Sequence, residues 1–181
     1  MAIVNRQDYF DAALEHLAKS GHASLRLTSL CRSLGVTTGS FYNWFKDWND
    51  FVEQFLEYWQ SEQTLSVTAQ ADKIPDPHER LDAMVELSQE IPHDAEVAVR
   101  AWSSTDPRVA TVQSTVDDLR LSLIERTLRD LGLAQPLAHR CAALGLSIVI
   151  GHQHLDTAQM RWSLEQFNAL VYVLAAASRD Q

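Results

Sequence analysis

The chain has 181 residues, 46% of them apolar, and a formal net charge of −9. That length suits one compact domain plus a small one, or a single helical unit, and the apolar fraction is ample for a core. No apolar run approaches the roughly 18 residues of a membrane span, and the opening Met-Ala-Ile-Val-Asn-Arg lacks a signal-peptide layout.

Cys31 and Cys141 stand far apart, without a CxxC pair, so buried reduced thiols are expected. A cytoplasmic protein without a membrane partner follows. The acidic balance argues against nucleic acid, but its distribution softens the objection. Residues 1–48 hold five basic and four acidic groups, which leaves the negative charge on the rest of the chain. A nearly neutral module can still touch phosphate, with weaker binding and strong salt sensitivity.

The punctuation along the chain is that of helices. Asn5 caps a first helix with Phe10, Ala13, Leu14 and Leu17 at helical spacing, stopped by Gly21. Thr28 opens a second, short helix, and Gly35 ends it where a left-handed residue is needed. Thr37 caps a third. Asp47 and Asp50 then occupy the cap and third positions of a long fourth helix, with Phe51, Val52, Phe55, Leu56 and Trp59 on one stripe.

After a loop near residues 72 to 77, Asp76-Pro77-His78-Glu79 marks another helix start. Pro92 separates that helix from one ending near Trp102. Asp106-Pro107 begins the next, which Gly132 stops; Pro136 opens the penultimate helix, reaching about Leu155. Ser163-Leu-Glu-Gln166 reads as a capping box for the last. No segment alternates as a strand would. The expected fold class is all-α, with about nine helices.

The most informative stretch is Gly35-Val36-Thr37-Thr38-Gly39-Ser40-Phe41-Tyr42-Asn43-Trp44-Phe45-Lys46. A tight glycine turn between a short helix and a second one is the helix-turn-helix geometry that puts the second helix into a major groove. Thr37 and Thr38 offer hydroxyls to phosphate, and Gly39 lets the backbone come close. Ser40 and Asn43 suit base edges. Tyr42 presents a phenol on the same side, Lys46 adds charge, and Phe41 with Phe45 faces the opposite way into a core.

These residues resemble the TetR family of transcriptional regulators. The resemblance covers roughly residues 5 to 60: Ala12-Ala13-Leu14, Leu17-Ala18 and Gly21, then Leu30 through Thr37, then Gly39-Ser40-Phe41-Tyr42-Asn43-Trp44-Phe45. It implies an N-terminal three-helix DNA-binding domain over 1–47, with Trp44 in the DNA-facing run and Thr28 as a phosphate contact. It also implies a helical effector-binding and dimerisation domain over 48–181. One departure stands out: where the family usually places a lysine and a glutamate after Phe-Lys, Asp47 is followed by Trp48 and Asn49. A frequent phosphate-binding lysine is missing, which lowers the expected affinity.

The implied partners are a double-stranded, palindromic DNA operator, a second copy of the chain, and a small-molecule effector of unknown identity. No cofactor is implied, and no catalytic motif appears. Apolar stripes Cys141, Leu144, Ile148 and Phe167, Leu170, Val171, Leu174 on the last two helices would form a four-helix dimer interface; burial inside one subunit would produce the same stripes. For the effector, the bulky residues Phe55, Trp59, Met84, Leu87, Trp102 and Leu121 are the candidates. His152 and Asp156 share a helix face but His154 points away, so a polar helix end is expected there rather than zinc.

The function expected is that of a ligand-responsive repressor, not an enzyme. Two alternatives stay open: a helical small-molecule-binding protein that has lost DNA contacts, and a dimeric protein-interaction module.

Overall fold

The computed structural model describes residues 4–179, apart from the side chains of Gln63, Thr64 and Arg179. Among the described residues there are ten α-helices, short 3-10 and π segments, and no strand. No helix among the described residues is long and apolar enough to cross a membrane. The helices are α1 (Arg6–Ser20), α2 (Leu27–Ser33), α3 (Thr38–Phe41), α4 (Trp48–Gln60), α5 (Ser66–Asp72), α6 (Pro77–Gln89), α7 (His93–Ser103), α8 (Pro107–Asp130), α9 (Gln135–His154) and α10 (Met160–Arg179). The count exceeds nine because a π segment, Ser61–Leu65, divides the long fourth helix into α4 and α5.

Most helix starts obey local chemistry. Asn5 Oδ1 accepts from the N–H groups of Gln7 (2.7 Å) and Asp8 (3.3 Å), while Asp8 Oδ2 accepts from the Asn5 N–H (2.7 Å). Asp47 accepts from the Asp50 N–H at 2.9 Å. Asp76 accepts from His78 and Glu79 at 2.9 and 3.0 Å, with Pro77 in the first turn. Each side-chain oxygen satisfies N–H groups that have no partner inside the helix.

Two starts differ from expectation. α2 begins one residue ahead of Thr28, with the Ser29 hydroxyl accepting from the Arg26 N–H at 3.1 Å. α10 begins at Met160, after a 3-10 turn that Asp156 caps through the Ala158 N–H (2.9 Å). Ser163 therefore lies inside α10, and its hydroxyl meets His152 Nε2 at 2.8 Å instead of capping.

The chain forms two compact units. One comprises the residues up to Ser61 with Pro92–Gln113; the other comprises Glu62–Ile91 and the chain from Ser114 onward. In the first, α1 packs on α7, and rings from α1, α3 and α4 fill the core. The five inward residues of α4 are all buried, as their single stripe predicts. In the second, α10 packs on α6 and α9 around Leu128, Leu131, Ala138, Phe167 and Val171.

Candidate nucleic-acid interface and effector cavity

The first unit presents a helix-turn-helix. α2 closes with the Gly35 N–H on the Arg32 carbonyl (3.2 Å) and the Val36 N–H on the Cys31 carbonyl (3.0 Å). Gly35 sits at φ 65°, the left-handed conformation this closure requires. The Thr37 hydroxyl then accepts from the Ser40 N–H at 3.3 Å and starts α3. α3 is shorter than the sequence suggested. After Phe41 the chain tightens, with Asn43 bonded to Ser40 (3.3 Å) and Trp44 to Phe41 (3.0 Å), the three-residue spacing of a 3-10 turn.

Phe41 and Phe45 hold this segment from behind. Both are fully buried, their ring centroids 4.9 Å apart, with Tyr9, Phe10 and Phe51 against Phe45 at 5.5, 5.8 and 5.1 Å. Tyr42 is 57% exposed and Trp44 42%. Thr28, Thr37, Thr38, Gly39, Asn43 and Lys46 are also exposed. Of the polar side chains named for DNA, all but Ser40 are thus exposed.

Ser40 differs from the rest. It is half-buried, and its Oγ accepts a hydrogen bond from the Tyr9 hydroxyl at 3.2 Å. Burial pushes the Tyr9 phenol up, so it stays a donor at neutral pH. Ser40 ties α3 to α1, a role that sequence reasoning missed because the partner is 31 residues away. Trp48, where the lysine was expected, stacks on Phe41 (6.1 Å) and packs on Phe51 (4.9 Å). Its ring extends the aromatic core. Cys31 is buried, and burial pushes its thiol up, which leaves it a packing residue.

The second unit contains a cavity of about 100 Å³. Five helices form its wall. Val67 and Thr68 come from α5, and Met84, Val85, Leu87 and Ser88 from α6. Leu123 and Ile124 of α8 face Leu146 and Val149 of α9, and Leu164, Phe167 and Asn168 of α10 complete it. Gly145 also lines the space; a Cβ there would lie 3.1 Å from the Phe167 ring, so the missing side chain is what lets α10 approach.

Of the six effector candidates, Met84 and Leu87 line this cavity and four do not. Phe55 and Trp59 are fully buried in the first unit. Phe55 on this stripe faces Phe10 of α1, 6.3 Å between ring centroids. Trp102 stacks on His22, 6.3 Å between centroids and 5° between planes, also in the first unit. Leu121 packs against the second unit's core instead of the cavity wall. Periodicity identified these residues as inward, but could not say which interior they enter.

The two stripes assigned to dimerisation also divide. Cys141, Phe167 and Val171 are buried within the subunit, which removes them from any outer surface. Burial also pushes the Cys141 thiol up. Leu144 and Leu170 remain exposed, and Ile148 and Leu174 are half-buried. Val173 and Trp162, not singled out from sequence, are exposed on α10 as well. His152 has both ring nitrogens engaged, Nδ1 with the Asp156 carbonyl (2.7 Å) and Nε2 with Ser163.

No family model and no curated protein matches the sequence. Solved structures do match along almost the whole length. A TetR transcription regulator from Haloarcula marismortui is 17% identical, with a TM-score of 0.72 over 95% of this chain and 96% of that one. The regulator FadR from Bacillus subtilis, in complex with stearoyl-CoA, is 14% identical, with a TM-score of 0.68 over 94% and 99%. A protein from Saccharomonospora viridis described as a transcriptional regulator, in complex with choline, is 22% identical, with a TM-score of 0.71 over 90% and 94%. With ten helices among the described residues, a glycine-closed helix-turn-helix and a second helical unit, this chain has the fold of the TetR-type transcriptional regulators.

Proposed function

We propose that the protein is a DNA-binding transcriptional repressor that works as a homodimer and is released from a palindromic operator by a small-molecule effector. The observation that carries the reading is the pairing of Tyr42 and Asn43 in the open with Phe41 and Phe45 buried behind them. A recognition segment needs that arrangement: polar groups free to enter a groove, and an apolar back that sets their position. Thr28, Thr37, Thr38 and Lys46 supply phosphate contacts in this reading, and Trp44 flanks them.

The functional division runs near residue 47, with DNA contacts before it and effector and dimer contacts after it. Leu144, Leu170, Val173 and Trp162 support the dimer, since exposed apolar groups grouped on two helices mark an interaction surface. The effector site is the second-unit cavity, and the FadR and choline-bound structures support a small-molecule site in this fold. The chain passes between its two units at three places, one within the π segment after α4. An effector acts through them by binding one state more tightly, with a coupling of about 1–3 kcal/mol.

Fluorescence anisotropy on the DNA flanking the gene, at several salt concentrations, tests the reading. Tight binding should fall linearly on a log–log plot against salt. Tyr42→Ala should weaken it about tenfold, or 1.4 kcal/mol, with stability changed by less than about 0.5 kcal/mol. Absent or salt-independent binding at every flanking region would favour a helical binding protein without DNA contacts.

A further inference from the structure

We infer that the second-unit cavity takes an uncharged hydrocarbon group, an aromatic ring or a short alkyl chain, and selects it by shape and length rather than by charge. The inference rests on the reading of this cavity as the effector site. It follows from the aliphatic lining and from what most polar groups of the wall already do.

Most of the wall is aliphatic side chain. Ser88 Oγ donates to the Val85 carbonyl at 2.7 Å and accepts from Gln89 Nε2 at 2.9 Å. Thr68 Oγ1 donates to the Leu65 carbonyl at 3.1 Å. The Asn168 amide donates to Asp82 Oδ1 (3.0 Å) and the Leu81 carbonyl (3.3 Å), which ties α10 to α6 beside the cavity. Among the described residues Arg120 is the one ionised residue of the wall, and it too has an interaction within the fold.

A carboxylate or phosphate would have to share Arg120 with its existing interaction. A cation would meet no acidic side chain among the described residues of the wall. Nor would it find the cage of rings that quaternary ammonium groups need, because Phe167 is the only aromatic residue among them. A buried charge without a partner is costly, whereas each buried methylene is favourable. At about 100 Å³ the space is somewhat smaller than the roughly 150 Å³ apolar cavity that admits benzene. One ring or a few carbons would fill it.

The test is calorimetric titration of the full chain, without DNA, using toluene, straight-chain alcohols from butanol to octanol, and the six-carbon carboxylate and ammonium. The alcohols should tighten about three- to fourfold per added carbon, then level off once the cavity is full. Hexanoate and hexylammonium should bind no more tightly than hexanol. Leu146→Phe and Val149→Phe should each weaken toluene and hexanol at least tenfold while the protein stays folded by circular dichroism; two positions guard against one variant misfolding. Tighter binding of either ion, affinity indifferent to chain length, or binding untouched by both fillings would overturn the inference. Because no operator takes part, failed DNA binding alongside length-dependent alcohol binding would sink the regulator reading and leave this one standing.

Discussion

Replacing Phe45 by alanine probes how the segment from Thr37 to Trp44 is held. Phe45 is 1% exposed, and four rings lie within 6 Å of its own: Phe41, Phe51, Tyr9 and Phe10 at 4.9, 5.1, 5.5 and 5.8 Å. Two of these contacts are edge-on, at 88° and 84°, a geometry worth about 0.5–1.5 kcal/mol beyond area. Truncating a buried phenylalanine costs about 3–5 kcal/mol through lost transfer energy and the cavity left behind. The surrounding rings are held near the N-terminal ends of α1 and α4 and on α3, so the gap should collapse poorly. We expect a loss near 4 kcal/mol.

Urea denaturation followed by tryptophan fluorescence reads that loss directly, because Trp44, Trp48, Trp59 and Trp102 all lie in the first unit. Phe45→Leu should cost much less, since it retains most of the volume. DNA affinity of Phe45→Ala should fall even where the protein remains folded, because the segment from Thr37 to Trp44 loses its anchor. A loss below about 1.5 kcal/mol would refute the argument that this ring fixes the segment.

Further predictions concern the turn and the helix caps. Gly35→Ala should cost about 1–2 kcal/mol by the left-handed strain alone, because nothing lies within 4 Å of a Cβ built there; Gly35→Asn should cost less, and equal costs in denaturation experiments would contradict this account. The Glu79 N–H holds the Asp76 carboxyl below its usual range, with the His78 N–H helping. Arg161 does the same for Glu86, and Arg108 for Asp106. A depressed carboxyl stabilises the fold above its unfolded value, near pH 4, and that stability is lost as pH falls through the folded value. Urea midpoints should therefore decline below about pH 4. Asp76→Asn, which keeps the acceptor but does not titrate, should decline less steeply; an unchanged slope would count against the cap.

Several parts of this structure were legible because their causes are local. Asn5, Asp47 and Asp76 sit within three residues of the N–H groups they satisfy, and Gly35, like Gly21 and Gly132, stands at a turn with a positive φ. Ser163 shows where local reading stops. Its box pattern is sound, but the preceding 3-10 turn and His152, eleven residues earlier, claim the site first. Helical spacing likewise placed Phe55, Trp59 and Trp102 indoors without telling one interior from another. Phe167 and Val171 looked like half of a dimer face, until α6 and α9 took that side of α10.

The order of residues by itself determined most of the helices and their caps, the glycine closure and the two buried phenylalanines behind Tyr42 and Asn43. All of these depend on neighbours within a few positions, so the chain carries the instructions in its spacing. Packing between distant segments decided the rest: which aromatics entered the first unit, how Tyr9 came to hold Ser40, and which walls enclosed the second-unit cavity. Burial is set by what lies opposite a side chain, and a stripe's period says nothing about what that will be.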